Sequence, residues 1–240
     1  MIRDNNNAQF SNDNTLWEEV ANTRWGAYTT DIARQAILKA HGLSKKPATA
    51  LEIGVEGGRW SKLLADLGWN MVCTDINYEV LKTCKKRIPT ANCILVGPND
   101  NKIPYATDTV NLLLCVEVAP VIQSDWFINE AFRVLQNDGL IIGVFWNFLS
   151  FRGLFAHIKA SFTGSFDFYK IAYRFWKRNL LNSGFCILYE EGYCWFPFSR
   201  ASNSVFIPFF TRLEKRLGLG KLTDFSPWIV FIAQKKSKNT

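Results

Sequence analysis

Residues 49 to 81 read "TALEIGVEGGRWSKLLADLGWNMVCTDINYEVL": an apolar run, a glycine-rich turn, an amphipathic stretch and a second apolar run ending on an acid. The apolar runs suit strands. Between them Trp60, Leu63, Leu64 and Leu67 share one helical face that ends at Gly68. A strand that turns into a helix opens a crevice at the carboxyl edge of its sheet, where unpaired helix amides and close backbone favour a polar ligand. Gly54 and Gly58 let such a ligand approach. Asp75, 21 residues after Gly54, ends the next strand with a carboxylate that can accept from both hydroxyls of a ribose. Taken alone, the glycines fit a plain strand-to-helix turn equally well. Asp75 also suits the dipole of a helix starting at Asn77, a role that does not exclude the ribose.

Outward from this stretch the pattern repeats. Upstream, "TTDIARQAILKAHG" places Ile32, Ala33, Ala36, Ile37 and Ala40 on one helical face, with Thr30 and Asp31 at its start and Gly42 as its stop. Downstream, Asn77 caps a helix burying Leu81, Cys84 and Ile88, which Pro89 forbids from continuing. Then come "NCILVG", "TVNLLLCV", "SDWFINEAFRVL" and "GLIIGVFW". Strand-like and helix-like segments alternate, and the strands are continuously apolar, which implies a parallel sheet covered on both faces. After Trp146 the pattern loosens to a helix "FDFYKIAYRFWKRNLLNSG", a strand "FCILYEE", a long aromatic segment to Pro227 and a last strand "WIVFIAQK".

The chain has 240 residues, 48% of them hydrophobic, which suffices for one large folding unit. The apolar run from Gly139 to Leu149 is far shorter than the roughly 20 residues that cross a bilayer. The polar opening "MIRDNNNAQFSNDN" reads as a mobile terminus rather than a signal peptide, so a cytoplasmic protein is expected. Six cysteines lack any C-x-x-C pair and only two histidines are present, a composition that predicts buried, reduced thiols and no metal site. Charge is uneven. Residues 1–150 hold 14 Lys+Arg against 16 Asp+Glu, whereas residues 151–240 hold 14 against 5, a net of +9.

A nicotinamide fingerprint requires G-x-G-x-x-G, but from Gly54 this loop reads Gly54, Val55, Glu56, Gly57, Gly58, Arg59. Glu56 also sets a carboxylate where a pyrophosphate would lie. A cationic cofactor without phosphates suits the loop better. "LEIGVEGG", "VCTDIN", "PNDNKIPYATDTVNLLLCVEV", "EAFRVLQNDGLIIGVFWN" and "LLNSGFCILYEE" together resemble the class I S-adenosylmethionine-dependent methyltransferases, particularly the branch of quinone-biosynthesis and other small-molecule enzymes. The resemblance runs from Ala48 to Glu190 in the correct order. It implies a Rossmann-like α/β fold, with a seven-stranded sheet covered by helices on both faces and "WIVFIAQK" as the antiparallel last strand. A helical extension would precede this sheet and an aromatic insertion would follow the core.

By the same resemblance Glu52, Gly54 and Gly58 would surround the methionine part of the cofactor, Asp75 would bind the ribose and Ile76 would pack on adenine. Asn99, Asp100 and Asn101 match the loop that offers an acid to the adenine amine, with Asp100 the acid. Cys115, Val116 and Glu117 match the end of the fourth strand, beneath the sulfonium. Glu56 replaces the family's middle glycine, for which Gly57 would compensate, and Asn111 replaces its usual aspartate. In related enzymes an N-terminal segment folds over the cofactor. Arg24 would then meet the cofactor's carboxylate while Trp25 and Tyr28 cover it, unless these two rings simply pack the added helix on the sheet.

The resemblance implies one domain, with residues 1–47 as a helical cover, 48–147 as the cofactor-binding core and 148–240 on the acceptor side. The expected reaction is direct displacement onto a small, apolar or lipid-like acceptor, in a cavity lined by rings of residues 148–210 such as Trp195 and Phe198. Glu117 and His157 are the candidates for a base, each with a bland alternative as a capping, surface or core residue. Lys170, Arg174, Lys177 and Arg178 form a basic stripe at i, i+4, i+7 and i+8, which is either solvated or faces an anionic acceptor or membrane surface. No nucleic-acid motif is evident. The competing classes are an NAD-dependent oxidoreductase and a non-catalytic scaffold of the same fold.

Overall fold

The computed structural model describes residues 15–44, 46–164 and 168–237, so the polar N-terminal run 1–14 and Phe166 lie outside the described residues. Strands β1 (Thr49–Ile53), β2 (Asn70–Asp75), β3 (Asn92–Leu95), β4 (Val110–Cys115), β5 (Leu135–Trp146), β6 (Phe185–Tyr193) and β7 (Trp228–Lys235) form one sheet in the order β3-β2-β1-β4-β5-β7-β6. Strands β1 to β5 pair in parallel, while β7 runs antiparallel between β5 and β6. The sheet therefore matches the expected Rossmann-like fold. Its order reverses at β1, so the carboxyl ends of β1, β2 and β4 border the switch-point crevice.

Alternate residues of each strand feed opposite faces. Ala50, Cys73, Leu112, Leu114, Ile142 and Val230 join one buried cluster, and Leu51, Val72, Leu113, Ile141, Phe145 and Phe231 the other. The first face is covered by helices α2 (Arg24–Leu43), α3 (Arg59–Asp66) and α4 (Tyr78–Arg87), the second by α5 (Ala119–Ile122), α6 (Phe127–Val134) and α8 (Tyr173–Asn182). Burial on both sides explains why the strands read as unbroken apolar runs. Asn111 accepts from Thr49 N–H at 3.2 Å and donates to Gln136 Oε1 at 2.9 Å. An amide can do both, so it ties β4 to its neighbours in a way that an aspartate in the same place could not.

Four local expectations change. Helix α2 begins at Arg24 rather than Thr30, because Thr23 caps it by accepting from Gly26 N–H at 3.0 Å. Before it lies a short α1 (Leu16–Ala21), closed by a reciprocal Thr15–Glu18 capping box. The loose region after Trp146 contains α7 (Phe151–Thr163), capped by Ser150 and ended by left-handed Gly164, and α9 (Ile207–Arg216). Lys170 precedes α8 and Lys177 pairs with Glu190 at 2.6 Å, so the four-residue basic stripe does not form one helical face.

Candidate functional site

At the carboxyl edge of β1, β2 and β4 lies a cavity of about 300 Å³. Its floor is the loop after β1. Gly54 takes φ 69° and its N–H donates to Thr74 O at 2.8 Å; a Cβ there would meet Val118 Cγ2 at 2.6 Å. Glu56 takes φ 51°, adopting for itself the left-handed turn for which a glycine would be usual. Gly57 does not share that role. It is small because a Cβ would meet Thr15 Cγ2 at 2.7 Å and Arg87 Nη1 at 3.0 Å, where Arg87 ties Gly57 O to Glu18.

Asp75 fixes this loop. Its Oδ2 accepts from Glu56 N–H at 3.1 Å and its Oδ1 from Asn77 N–H at 2.9 Å. Each carboxylate oxygen retains further acceptor capacity on the cavity wall. Glu52 is deeply buried, accepts from Ser61 Oγ at 2.5 Å, and is pushed by burial up to about 8. An acid kept neutral by desolvation ionises when a cation is brought to it.

Facing these carboxyls is Arg59, whose guanidinium lies 4.3 Å over the Trp60 ring and donates to Thr30 Oγ1 at 3.3 Å. Its Nε is buried without a hydrogen-bond partner. An unsatisfied donor on a cavity-lining guanidinium leaves room for an acceptor, and the positive charge of the group favours an anionic one. Gly26, Thr29 and Thr30 of α2 close one side. On the opposite side Glu117, at φ 61° after β4, is salt-bridged to Arg200. The Arg200 guanidinium sits 4.9 Å from both Trp146 and Trp228, which stack at 5.2 Å.

Of the residues named from sequence, Glu52, Gly54, Asp75, Val116 and Glu117 line this cavity. Ile76 stands between two lining residues and is 62% exposed. Gly58, at φ 83°, is absent from the lining; a Cβ there would strike Cys84 Sγ at 2.8 Å, so its smallness serves helix packing. Cys115 is fully buried beneath the site, and burial pushes its thiol up. Asp100 accepts from Gly97 N–H at 2.7 Å, and Asn99, Asp100 and Asn101 form an exposed turn outside the cavity lining. Arg24 is exposed and bonds Asn203, whereas Trp25 is 1% exposed between Tyr28 and Phe198. Tyr28 donates to Glu214 at 2.6 Å. These two rings therefore pack the added helix. His157 lies on the exposed side of α7, edge-on to Phe148, and outside the lining.

Arg59, Thr29, Thr30, Asn77 and Arg200 were not legible as site residues. Arg59 had a signal, being the first residue of the helix after the glycine loop; Arg200 had none, since it reaches Glu117 from 83 residues away. Among the described residues no ring of residues 148–210 lines the cavity, and Arg200 alone of that segment does. The described cysteines are free thiols; Cys73, Cys84 and Cys93 bring their sulfurs within 4.8 Å of one another.

Residues 51–143 match the family described as Methyltransferase domain. No curated protein matches the chain. Among solved structures, a geranyl diphosphate methyltransferase in complex with S-adenosylmethionine is 14% identical over 92% of this chain and 91% of that one, with a TM-score of 0.62. A S-adenosylmethionine-dependent methyltransferase from Mesorhizobium loti is 12% identical over 82% and 96%, with a TM-score of 0.56. These likenesses are of fold.

Proposed function

We propose that this chain, whose residues 51–143 form a methyltransferase domain served by S-adenosylmethionine, transfers the methyl group to a small, apolar or lipid-like acceptor by direct displacement. The observation that carries the reading is the charge layout of the cavity, whose lining brings the carboxyls of Glu52 and Asp75 together with the guanidinium of Arg59. A ligand bearing an ammonium, a carboxylate and a vicinal diol is matched by this donor and acceptor set.

Asp75 would accept from the ribose hydroxyls, Arg59 would donate to the carboxylate and Glu52, on ionising, would hold the ammonium. Ile76 offers an exposed apolar surface for adenine. Arg59 thus takes the role that the sequence assigned to Arg24. When bound, the cofactor supplies a methyl already activated on a positively charged sulfur, so the protein's task is proximity and in-line alignment. No nucleophilic side chain is needed. Glu117, held in its ion pair with Arg200, is suited to orienting groups at the acceptor edge, and Arg200 itself is backed by the buried Trp146–Trp228 stack behind the cavity lining. A cavity of about 300 Å³ is at the lower end for ligand sites, so the acceptor would enter by moving the Arg200 side. The finer assignment to a quinone-biosynthesis-like branch rests on the motif resemblance alone.

Calorimetry on the wild type and Asp75→Ala tests the reading. Removing two charge-assisted acceptors is expected to cost about 1.5–3 kcal/mol, or about 10- to 150-fold in affinity for S-adenosylmethionine. Unchanged affinity in a folded variant would sink the assignment. Tighter binding of NAD than of S-adenosylmethionine would favour the oxidoreductase instead.

A further inference from the structure

Helix α7 spends its apolar face on solvent. Phe151, Leu154, Phe155, Ile158 and Phe162 fall at i, i+3, i+4, i+7 and i+11, one continuous stripe, and all five are exposed, Phe155 by 71% and Phe162 by 86%. Gly153 is the only buried residue of the helix. A soluble helix normally turns such a stripe toward its own core. A 13-residue helix is also marginal unless its apolar face is covered.

One end is nonetheless fixed. Ser150 Oγ accepts from Gly153 N–H at 3.0 Å, and Arg152 donates to Cys194 O and Phe198 O at 3.0 Å each. Any Cβ on Gly153 would meet the carbonyl oxygens of Asn147 and Phe148 at 2.5 Å, so the first turn is seated directly on the end of β5. That strand end carries Trp146, on which Arg200 of the cavity wall lies. The helix is a ridge anchored at the edge of the sheet that bears the cavity.

We propose that α7 is an interfacial helix that docks the protein on an anionic lipid bilayer, laying its stripe of Phe, Leu and Ile into the boundary between headgroups and acyl chains. Charge selects this occupant. The helix contains no acid, and Lys159 is exposed on it. Residues 151–240 carry 14 Lys+Arg against 5 Asp+Glu, with Arg174 and Arg178 exposed on the following α8. A second copy would bring a helix that likewise carries Arg152, Lys159 and no acid, with no opposite charge to offer. A convex ridge needs no shape-matched groove when its partner is fluid, and anionic lipid adds Coulomb attraction to apolar burial. At 1.5 Å per residue the helix is about 20 Å long, too short to span, so it lies in the plane.

The test is co-sedimentation of the full chain with phosphatidylcholine vesicles containing or lacking 30% phosphatidylglycerol, comparing wild type with Phe155→Glu/Phe162→Glu. Both side chains are exposed, so the variant should keep the wild-type thermal midpoint and cofactor affinity. Docking predicts binding to the anionic vesicles, weakening in added salt, and a loss of at least about tenfold in the variant. No binding by the wild type, equal binding by the variant, or equal binding to the neutral vesicles would overturn it. Self-association that the variant abolishes, without vesicle binding, would assign the face to a second copy and overturn it too. Because the readout is lipid binding, the result is independent of which acceptor is methylated.

Discussion

Glu56 carries the clearest local tension in the site. It occupies a left-handed position, φ 51°, where a side chain costs about 1–2 kcal/mol, and the loop cannot relax because its N–H is held by Asp75. Glycine would remove that cost but would lose about 0.5–1 kcal/mol to unfolded-chain entropy. Glu56→Gly should therefore shift the thermal midpoint by no more than about 3 °C and retain cofactor binding, while β-branched Glu56→Val should lower the midpoint by several degrees. Calorimetric melts of both variants check this; an equal drop in the two would show that the carboxylate, not the backbone, matters.

Glu52 supplies a pH signature. Its folded-state value of about 8 stands above the ordinary 4.5, so the native protein holds this proton more tightly than the unfolded chain. Its contribution to stability is greatest below about pH 4.5, diminishes as pH rises toward 8, and is level above that. Glu214, raised by burial to about 7, acts in the same direction. If Glu52 holds the cofactor's ammonium, binding between about pH 5 and 8 must release a proton. Calorimetry in buffers of different ionisation enthalpy should detect the release in the wild type and lose it in Glu52→Gln. Equal release in both would place the titrating group elsewhere.

At the scale of elements, α2 is the decisive addition. The family match begins at residue 51, yet α2 donates Ile32, Ala33, Ala36, Ile37 and Ala40 to the same buried cluster as strands β1, β4 and β5, and Gly26, Thr29 and Thr30 to the cavity wall. Each of its larger core side chains contributes roughly 1.5–3 kcal/mol by burial. Trp25 adds ring contacts at 5.0 Å to Tyr28 and 5.2 Å to Phe198. Trp25, Ile32 and Ile37 together amount to about 5–9 kcal/mol, comparable with the whole stability of an ordinary domain, and deleting residues 1–43 also uncovers the apolar face of the sheet. The expected product is insoluble or molten, as judged by near-ultraviolet dichroism and dye binding. A cooperatively folding remnant that still binds S-adenosylmethionine would show instead that α2 is a dispensable lid.

Across the whole molecule, the division between sequence and structure follows the range of the interactions. The alternation of apolar strands and amphipathic helices was legible because it is written by period and burial within short windows, and it determined the parallel α/β sheet, whereas the antiparallel direction of the last strand came from the family resemblance of the motifs. Asp75 and the Gly54 loop were legible for the same reason: a strand end followed by a turn is a local event. Residue spacing could not say whether Gly58 was small for a ligand or for Cys84, because that depends on where α4 packs. Nor could it show that Trp25 and Tyr28 turn inward while Gly26 and Thr30 face the cavity, since all four lie on one helix whose rotation is set by its contact with the sheet. Arg200 meets Glu117 only because the segment after β6 folds back over the carboxyl edge. The apolar stripe of α7 is visible in sequence as a pattern, but only the tertiary structure decided that it faces away from the core, because exposure depends on the neighbours that a helix has.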